Sequence, residues 1–221
     1  MTNFFKKISA RFKVEGFNSF FIIYASFILK LSRLKYRIFF GWHVSAIVAP
    51  ATIRGKRHID LGMNFSSLSN LWIDAISGYK DQNFKPRIII GDNFSASIAL
   101  HIAATNYVRI GNNVLVGSKV LITDHVHGIY NGEDQSSPDE APAQRLLTSN
   151  KSVIIEDNVF IGDNSCIMPG VTIGYGSIVA ANSVVTADVP ARCIVAGCPA
   201  VIVREFDLVE KKWKNVKNVV A

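Results

Sequence analysis

The chain of 221 residues is 49% hydrophobic with 15 glycines, long enough for one domain with a full core and too apolar for disorder. Its formal charge of +7 is concentrated. Residues 1–43 hold eight basic side chains against Glu15 alone, and the other 16 basic and 16 acidic residues cancel, which points away from nucleic acid and toward a membrane surface or an acidic partner. Three cysteines without paired spacing exclude a disulfide framework and make the cytoplasm the expected compartment.

Residues 1–45 form a basic and apolar segment around FFIIYASFIL (Phe20 to Leu29). Extended to Phe17–Leu34 it includes Lys30, Arg33 and three serines, so it falls short of the roughly 20 mainly apolar residues of a spanning helix, and no small-residue cleavage site follows it. One or two helices are expected. They either cap the open end of the following domain, pack on a neighbouring subunit, or make peripheral contact with anionic lipid through residues 1–43 at the inner face of the membrane.

From residue 46 a six-residue beat sets in, at Ile47, Ile53, Ile59, Phe65 and Leu71. Asp74 to Arg87 breaks it with Gly78, Asp81, Asn83 and Pro86, as a loop or flattened corner would. It returns at Ile90, Ala96 and Ile102, slips by two residues around Ala104–Asn106, and resumes at Ile110, Val116 and Ile122. An extruded loop, about 124–152, then leaves the beat and carries DHVHG, Tyr130, the acidic and proline-rich EDQSSPDEAP and Arg145. Loops this long in compact domains are commonly functional.

The most regular stretch runs from Ile155 to Pro190, with an aliphatic residue at 155, 161, 167, 173, 179 and 185 and a small or β-branched one four places after each. No α-helix or hairpin requires that spacing. It predicts a parallel β-helix, in which short strands stack coil on coil, the aliphatic residue fills the prism and Gly or Asn takes the corners. The β-helix domain is expected over 46–203, and 204–221, with Lys211, Lys212, Lys214 and Lys217, as a C-terminal helix.

Two of the five histidines, His125 and His127, stand where the long loop leaves the rod. Imidazole has the pKa for taking a proton from a hydroxyl nucleophile, so either is a candidate general base. His101, ahead of Ile102, points outward near the same edge. Tyr130 and Arg145 are candidate substrate contacts on the loop. No glycine-rich phosphate loop in a strand-to-helix context is present.

The Ile155–Pro190 hexads, AGCPA at Ala196–Ala200 and DHVHG at Asp124–Gly128 together resemble the hexapeptide-repeat acyltransferases, in particular the maltose and galactoside O-acetyltransferases and the surface-polysaccharide O-acetyltransferases. The likeness covers roughly 47–204. It implies an all-β fold, a left-handed parallel β-helix with N-terminal and C-terminal helices, assembled as a homotrimer. It implies direct, acetyl-coenzyme A-dependent acetylation of a sugar hydroxyl on a surface polysaccharide or its precursor, with His125 as the base. Asp124, His101, His127, Tyr130 and Arg145 become the acceptor-side candidates, Asp124 also as the group that orients a ring. Coenzyme A is expected in the groove between prisms, at Phe160, Asp163, Ala181, Thr186, Gly197 and Arg204. Ala99 stands where the family commonly has an Asn beside the acceptor, and Ala187 and Val201 stand where relatives carry basic residues.

Three other readings remain open. An amino-sugar N-acetyltransferase would use the same scaffold. The γ-class carbonic anhydrases bind zinc through three histidines on this kind of β-helix, and His101, His125 and His127 would be the ligands, but the close pair there is separated by four residues rather than one; no metal is expected. A non-catalytic scaffold would bind no acetyl-coenzyme A. Cys166, Cys193 and Cys198 have no histidine near them in sequence and are not expected to act as nucleophiles.

Overall fold

The computed structural model describes residues 18–148 and 151–216; expectations for 1–17, including Lys6, Lys7, Arg11 and Lys13, and for Lys217 lie outside them. Helix α1 (Asn18–Phe40) ends on Gly41, whose φ of 72° lets its N–H close on Arg37 O, a termination for which glycine carries no Cβ penalty. Its inward side is narrow: Tyr36 is buried against Phe40 and Trp42, and Ser32 Oγ donates to Ile47 O at 2.7 Å.

The β-helix begins at Val44 and winds through three faces. Its coils are β1 (Val44–Ile47), β2 (Ala51–Arg54), β3 (Ile59–Leu61); β4 (Phe65–Ser67), β5 (Leu71–Ala75), β8 (Arg87–Ile90); β9 (Ser95–Ala96), β10 (His101–Ala104), β11 (Tyr107–Ile110); β12 (Leu115–Val116), β13 (Leu121–Thr123), β16 (Ser152–Ile155); β17 (Phe160–Ile161), β18 (Cys166–Ile167), β19 (Thr172–Ile173); and β20 (Ile178–Val179), β21 (Val184–Val185) with Val189 bridged to Ile173. The first strands of the coils pair in parallel as one sheet, the second as another and the third as another, with in-register partners such as Ile73, Ile102, Ile122 and Ile167.

The sequence beat is the packing rule of this prism. The position-four residues Val159, Ser165, Val171, Ser177, Ser183 and Val189 are all buried. The serines survive there because their hydroxyls are paired, as Ser165 Oγ to Ala180 O and Ser177 Oγ to Pro190 O. Inside the first face, volume is traded between neighbours: Phe65 and Phe94 stack at 5.1 Å beside Ser67 and Ala96, whereas later coils place Val114 beside Val116 and Val159 beside Ile161. At the corners, Asn64, Asn93 and Asn113 adopt positive φ and bond side chain to side chain at 2.9 and 3.0 Å. The Gly before them answers a different need, since a Cβ on Gly111 would lie 2.7 Å from Asp157 N in the next coil.

Among the described residues, insertions leave only one edge of the prism, between the second and third faces. A 3-10 turn (Lys56–His58) widens it in the first coil, a hairpin β6 (Gly78–Tyr79) and β7 (Gln82–Asn83) leaves it in the second, Thr105 and Asn106 are extra in the third, and the long loop leaves it in the fourth. Within that loop β14 (Val126–His127) pairs antiparallel with β15 (Leu147–Thr148). The hairpin braces it: Gln82 both donates to Leu147 O (3.0 Å) and accepts from Leu147 N (2.8 Å), Tyr79 OH donates to Ala143 O, and Lys80 Nζ to Gln144.

The expected C-terminal helix is absent from the described residues. The rod ends instead in β22 (Cys193–Gly197), β23 (Ala200–Asp207) and β24 (Lys212–Asn215), an antiparallel meander added to the first face. The β-branched run Val201–Val203 disfavours helix, and β22 offers an open edge whose backbone groups need partners. Phe206 and Trp213 pair across the strands at 5.2 Å. Asp207 makes the turn, accepting from the N–H of Val209 and of Glu210, while the Lys214 ammonium, first among the causes, holds its carboxyl down at about 2.

Candidate active site

The two-residue slip at Ala104–Asn106 lies against the base of the long loop. Asp124 is completely buried there, and its carboxylate accepts from Thr105 N (2.9 Å), Thr105 Oγ1 (3.1 Å) and Asn106 N (2.7 Å). These donors satisfy its oxygens in a place where an unpaired carboxyl group would be prohibitive. Next to it, His125 Nδ1 sits 2.9 Å from Asp124 Oδ1, with Thr123 Oγ1 at 3.4 Å. An acceptor saturated with donors fixes the tautomer: Nδ1 carries the proton and Nε2 the lone pair. The His125 side chain is 10% exposed.

His101 is on β10, two coils ahead of the regular hexads. Its ring stacks on Trp72 of β5 at 4.3 Å and 16°. Burial pushes its pKa below the usual value, Asp74 opposes that, and the nearby His125 adds to it, so the three groups share one electrostatic neighbourhood. His127, by contrast, is exposed and meets Tyr79 edge-on at 5.2 Å. Tyr130 and Arg145 are spent inside the loop: Tyr130 OH donates to His127 O, and Arg145 donates to Tyr130 OH, Glu140 O and Pro138 O. Tyr130 also lines a cavity of about 470 Å³ with Val126, Leu147, Lys151 and Pro169. Ala99 occupies a corner with φ of 59°, the place Asn takes in other coils. Among the described residues no group of three or more His, Cys, Asp or Glu is placed to hold a metal.

The donor-side candidates fall into two sets. Asp163 and Ala181 sit at the corner entering the second face, and Thr186 is exposed at its far end. Phe160 and Arg204 are exposed on the first face, where Phe160, Ile178, Ile194 and Arg204 are neighbours in register; Gly197, with φ of 104°, turns β22 back into β23. Asp163 Oδ1 additionally accepts from Ser118 N, so its carboxylate helps to stack the coils.

Sequence reasoning missed Thr105 and Asn106, although the slip in the beat was their signal. It also missed Arg54, Trp72 and Asp74, which carry no motif and become neighbours of His101 only through coil stacking.

Comparisons with known proteins bear on the family and the fold. A family model described as the hexapeptide repeat of succinyl-transferase matches residues 152–187. WbbJ of Escherichia coli (strain K12), named for O-acetyl transfer in lipopolysaccharide biosynthesis, is 36% identical over 186 residues, 84% of this chain and 88% of that protein. The galactoside O-acetyltransferase of the same organism is 32% identical over 149 residues, 65% of each chain. The crystal structure of AntD, an N-acyltransferase from Bacillus cereus in complex with dTDP and 3-hydroxybutyryl-CoA, superposes with a TM-score of 0.58 at 19% identity, over 72% of this chain and 78% of that one, a likeness of fold. With six stacked coils, hexads over 152–187 and a relative matched nearly end to end, this chain belongs to the hexapeptide-repeat acyltransferases.

Proposed function

We propose that the protein transfers acetyl from acetyl-coenzyme A to a sugar hydroxyl of a surface polysaccharide or its precursor, with His125 as general base and Asp124 as the group that orients it. The observation that carries this reading is the buried Asp124 carboxylate 2.9 Å from His125 Nδ1, which leaves Nε2 to act. Nε2 takes the hydroxyl proton as the acceptor oxygen attacks the thioester carbonyl. The tetrahedral intermediate then collapses with loss of the C–S bond, and the imidazolium returns its proton to the departing thiolate. The relatives named for O-acetyl transfer support the acceptor class.

The rod is read as left-handed, as in the family, and the working assembly as a homotrimer. We place the enzyme in the cytoplasm, at the inner face of the membrane. Among the described residues no helix is long and apolar enough to cross it. The outward side of α1 exposes Tyr24, Phe27, Ile28, Leu31, Leu34 and Ile38, with Lys30, Lys35 and Arg37 exposed beside them, a composition suited to anionic lipid. Retention on phosphatidylglycerol vesicles but not on phosphatidylcholine vesicles, lost in Leu31→Glu, is expected; a change of oligomeric state without vesicle binding would make the face a subunit contact.

The test of the reaction is acetyl-coenzyme A turnover against sugars, nucleotide sugars and lipid-linked oligosaccharides, with His125→Ala beside the native chain. Turnover is expected to fall by about 10²–10⁴ in the variant. Full activity in it would remove His125 as the base, and preferred transfer to an amine, insensitive to the substitution, would favour the amino-sugar reading.

A further inference from the structure

Three side chains on successive coils of the second face form a stack that runs toward His125. Arg54 ends β2, Trp72 is in β5 and His101 in β10, with Thr52, Trp72, His101 and Leu121 in one register column. The Trp72 ring is held between His101, at 4.3 Å, and the Arg54 guanidinium, whose Cζ lies 5.8 Å from the ring centre. Trp72 points outward from the second face, between buried Leu71 and Ile73, and even with both neighbours it remains 41% exposed, leaving much of the indole surface uncovered. Asp74 stands behind, 13% exposed at its side chain and 3.5 Å from Arg54 Nη1. That contact is long, and the Arg54 side chain is 65% exposed, so most of its five donors face solvent.

The direction matters. Asp163, Ala181 and Thr186 lie on coils after His125, so the side left for an acceptor is that of the preceding coils. From β2 to β13 is three strand spacings, about 14 Å, the length of a short saccharide.

Resting on the acyl-transfer reading above, we propose that Trp72, Arg54 and Asp74 form an acceptor subsite for an anionic glycan. The uncovered indole packs against the apolar face of a sugar ring, Asp74 accepts from its hydroxyls, and Arg54 meets a phosphate or carboxylate one unit from the reacting sugar. Trp72 also keeps the His101 ring flat at the edge of the His125 site.

The experiment measures acetyl transfer by the intact assembly to glucose, glucose 1-phosphate, UDP-glucose and glucuronic acid, and to the galactose counterparts. Trp72→Ala is expected to raise acceptor KM about tenfold with little change in kcat or in KM for acetyl-coenzyme A, and Trp72→Phe to restore most of it. Arg54→Ala is expected to raise KM for the charged acceptors and not for the free sugars; glucuronic acid against glucose 1-phosphate tells carboxylate from phosphate. Tryptophan fluorescence read without acetyl-coenzyme A should show acceptor quenching that disappears in Trp72→Phe, and thermal unfolding separates a folding defect from a binding one. Transfer with acceptor KM unchanged in Trp72→Ala, or with acetyl-coenzyme A KM rising in parallel, overturns the subsite and leaves the reaction standing. No transfer to any acceptor, with no quenching, ends both.

Discussion

The edge between the second and third faces behaves differently at the two ends of the rod. In the coils of β17–β21 it is tight, closed over the buried aliphatic side chains Val171 and Val189. In the earlier coils the same edge admits a 3-10 turn, a hairpin, two extra residues and a long loop, and there a carboxylate, Asp124, is completely buried. Regular hexads build a support that tolerates little, and the irregular edge spends that rigidity on holding a charge and an imidazole in fixed geometry.

The sharpest way to break this comparison is at Asp124. Asp124→Asn keeps the shape but turns an amide toward the N–H groups of Thr105 and Asn106 and releases the Nδ1 tautomer of His125, so turnover is expected to fall about 10²–10⁴-fold in steady-state assays. Next comes the support. Phe94→Ala opens the stack with Phe65 and should cost about 3–5 kcal/mol in denaturant unfolding, while Val114→Phe, which overfills the same column one coil on, should cost about 1–3 kcal/mol. Gln82→Ala removes two hydrogen bonds to the Leu147 backbone, about 1–3 kcal/mol of local stability at about 0.5–1.5 each, and should speed proteolysis in 128–146 well before the coils unfold.

The smallest effect is electrostatic. His101 is held below its ordinary pKa, chiefly by burial. A depressed folded-state value means that the unfolded chain binds the proton first, so this contribution to stability is intact above about pH 6.5 and lost as pH falls from there toward the folded value. An NMR titration should find His101 half-protonated below 6.5. Asp74→Asn, by removing the one group that raises it, should move it lower still.

Much of this was legible in the chain. A period of six with small residues four places on admits only a stacked prism, because each inward position is filled by its own residue and the corners favour Asn or Gly at positive φ, although Ala99, Lys119 and Arg192 also take it; burial at Val159 through Val189 follows from that rule. The loop departure at Asp124 and His125 was equally visible as a break in the beat. The C-terminal segment was misread, since its lysines suggest a solvated helix while the open edge at β22 makes Val201–Val203 a strand.

What the sequence by itself determined, then, is the rod, its corners and the place where the catalytic candidates leave it, all local consequences of spacing and side-chain volume. Only the tertiary structure decided which residues meet. Thr105 and Asp124 are 19 positions apart, and Arg54, Trp72 and His101 are separated by whole coils; their contacts depend on how many residues each corner inserts, and that sum fixes the register in which distant strands stack.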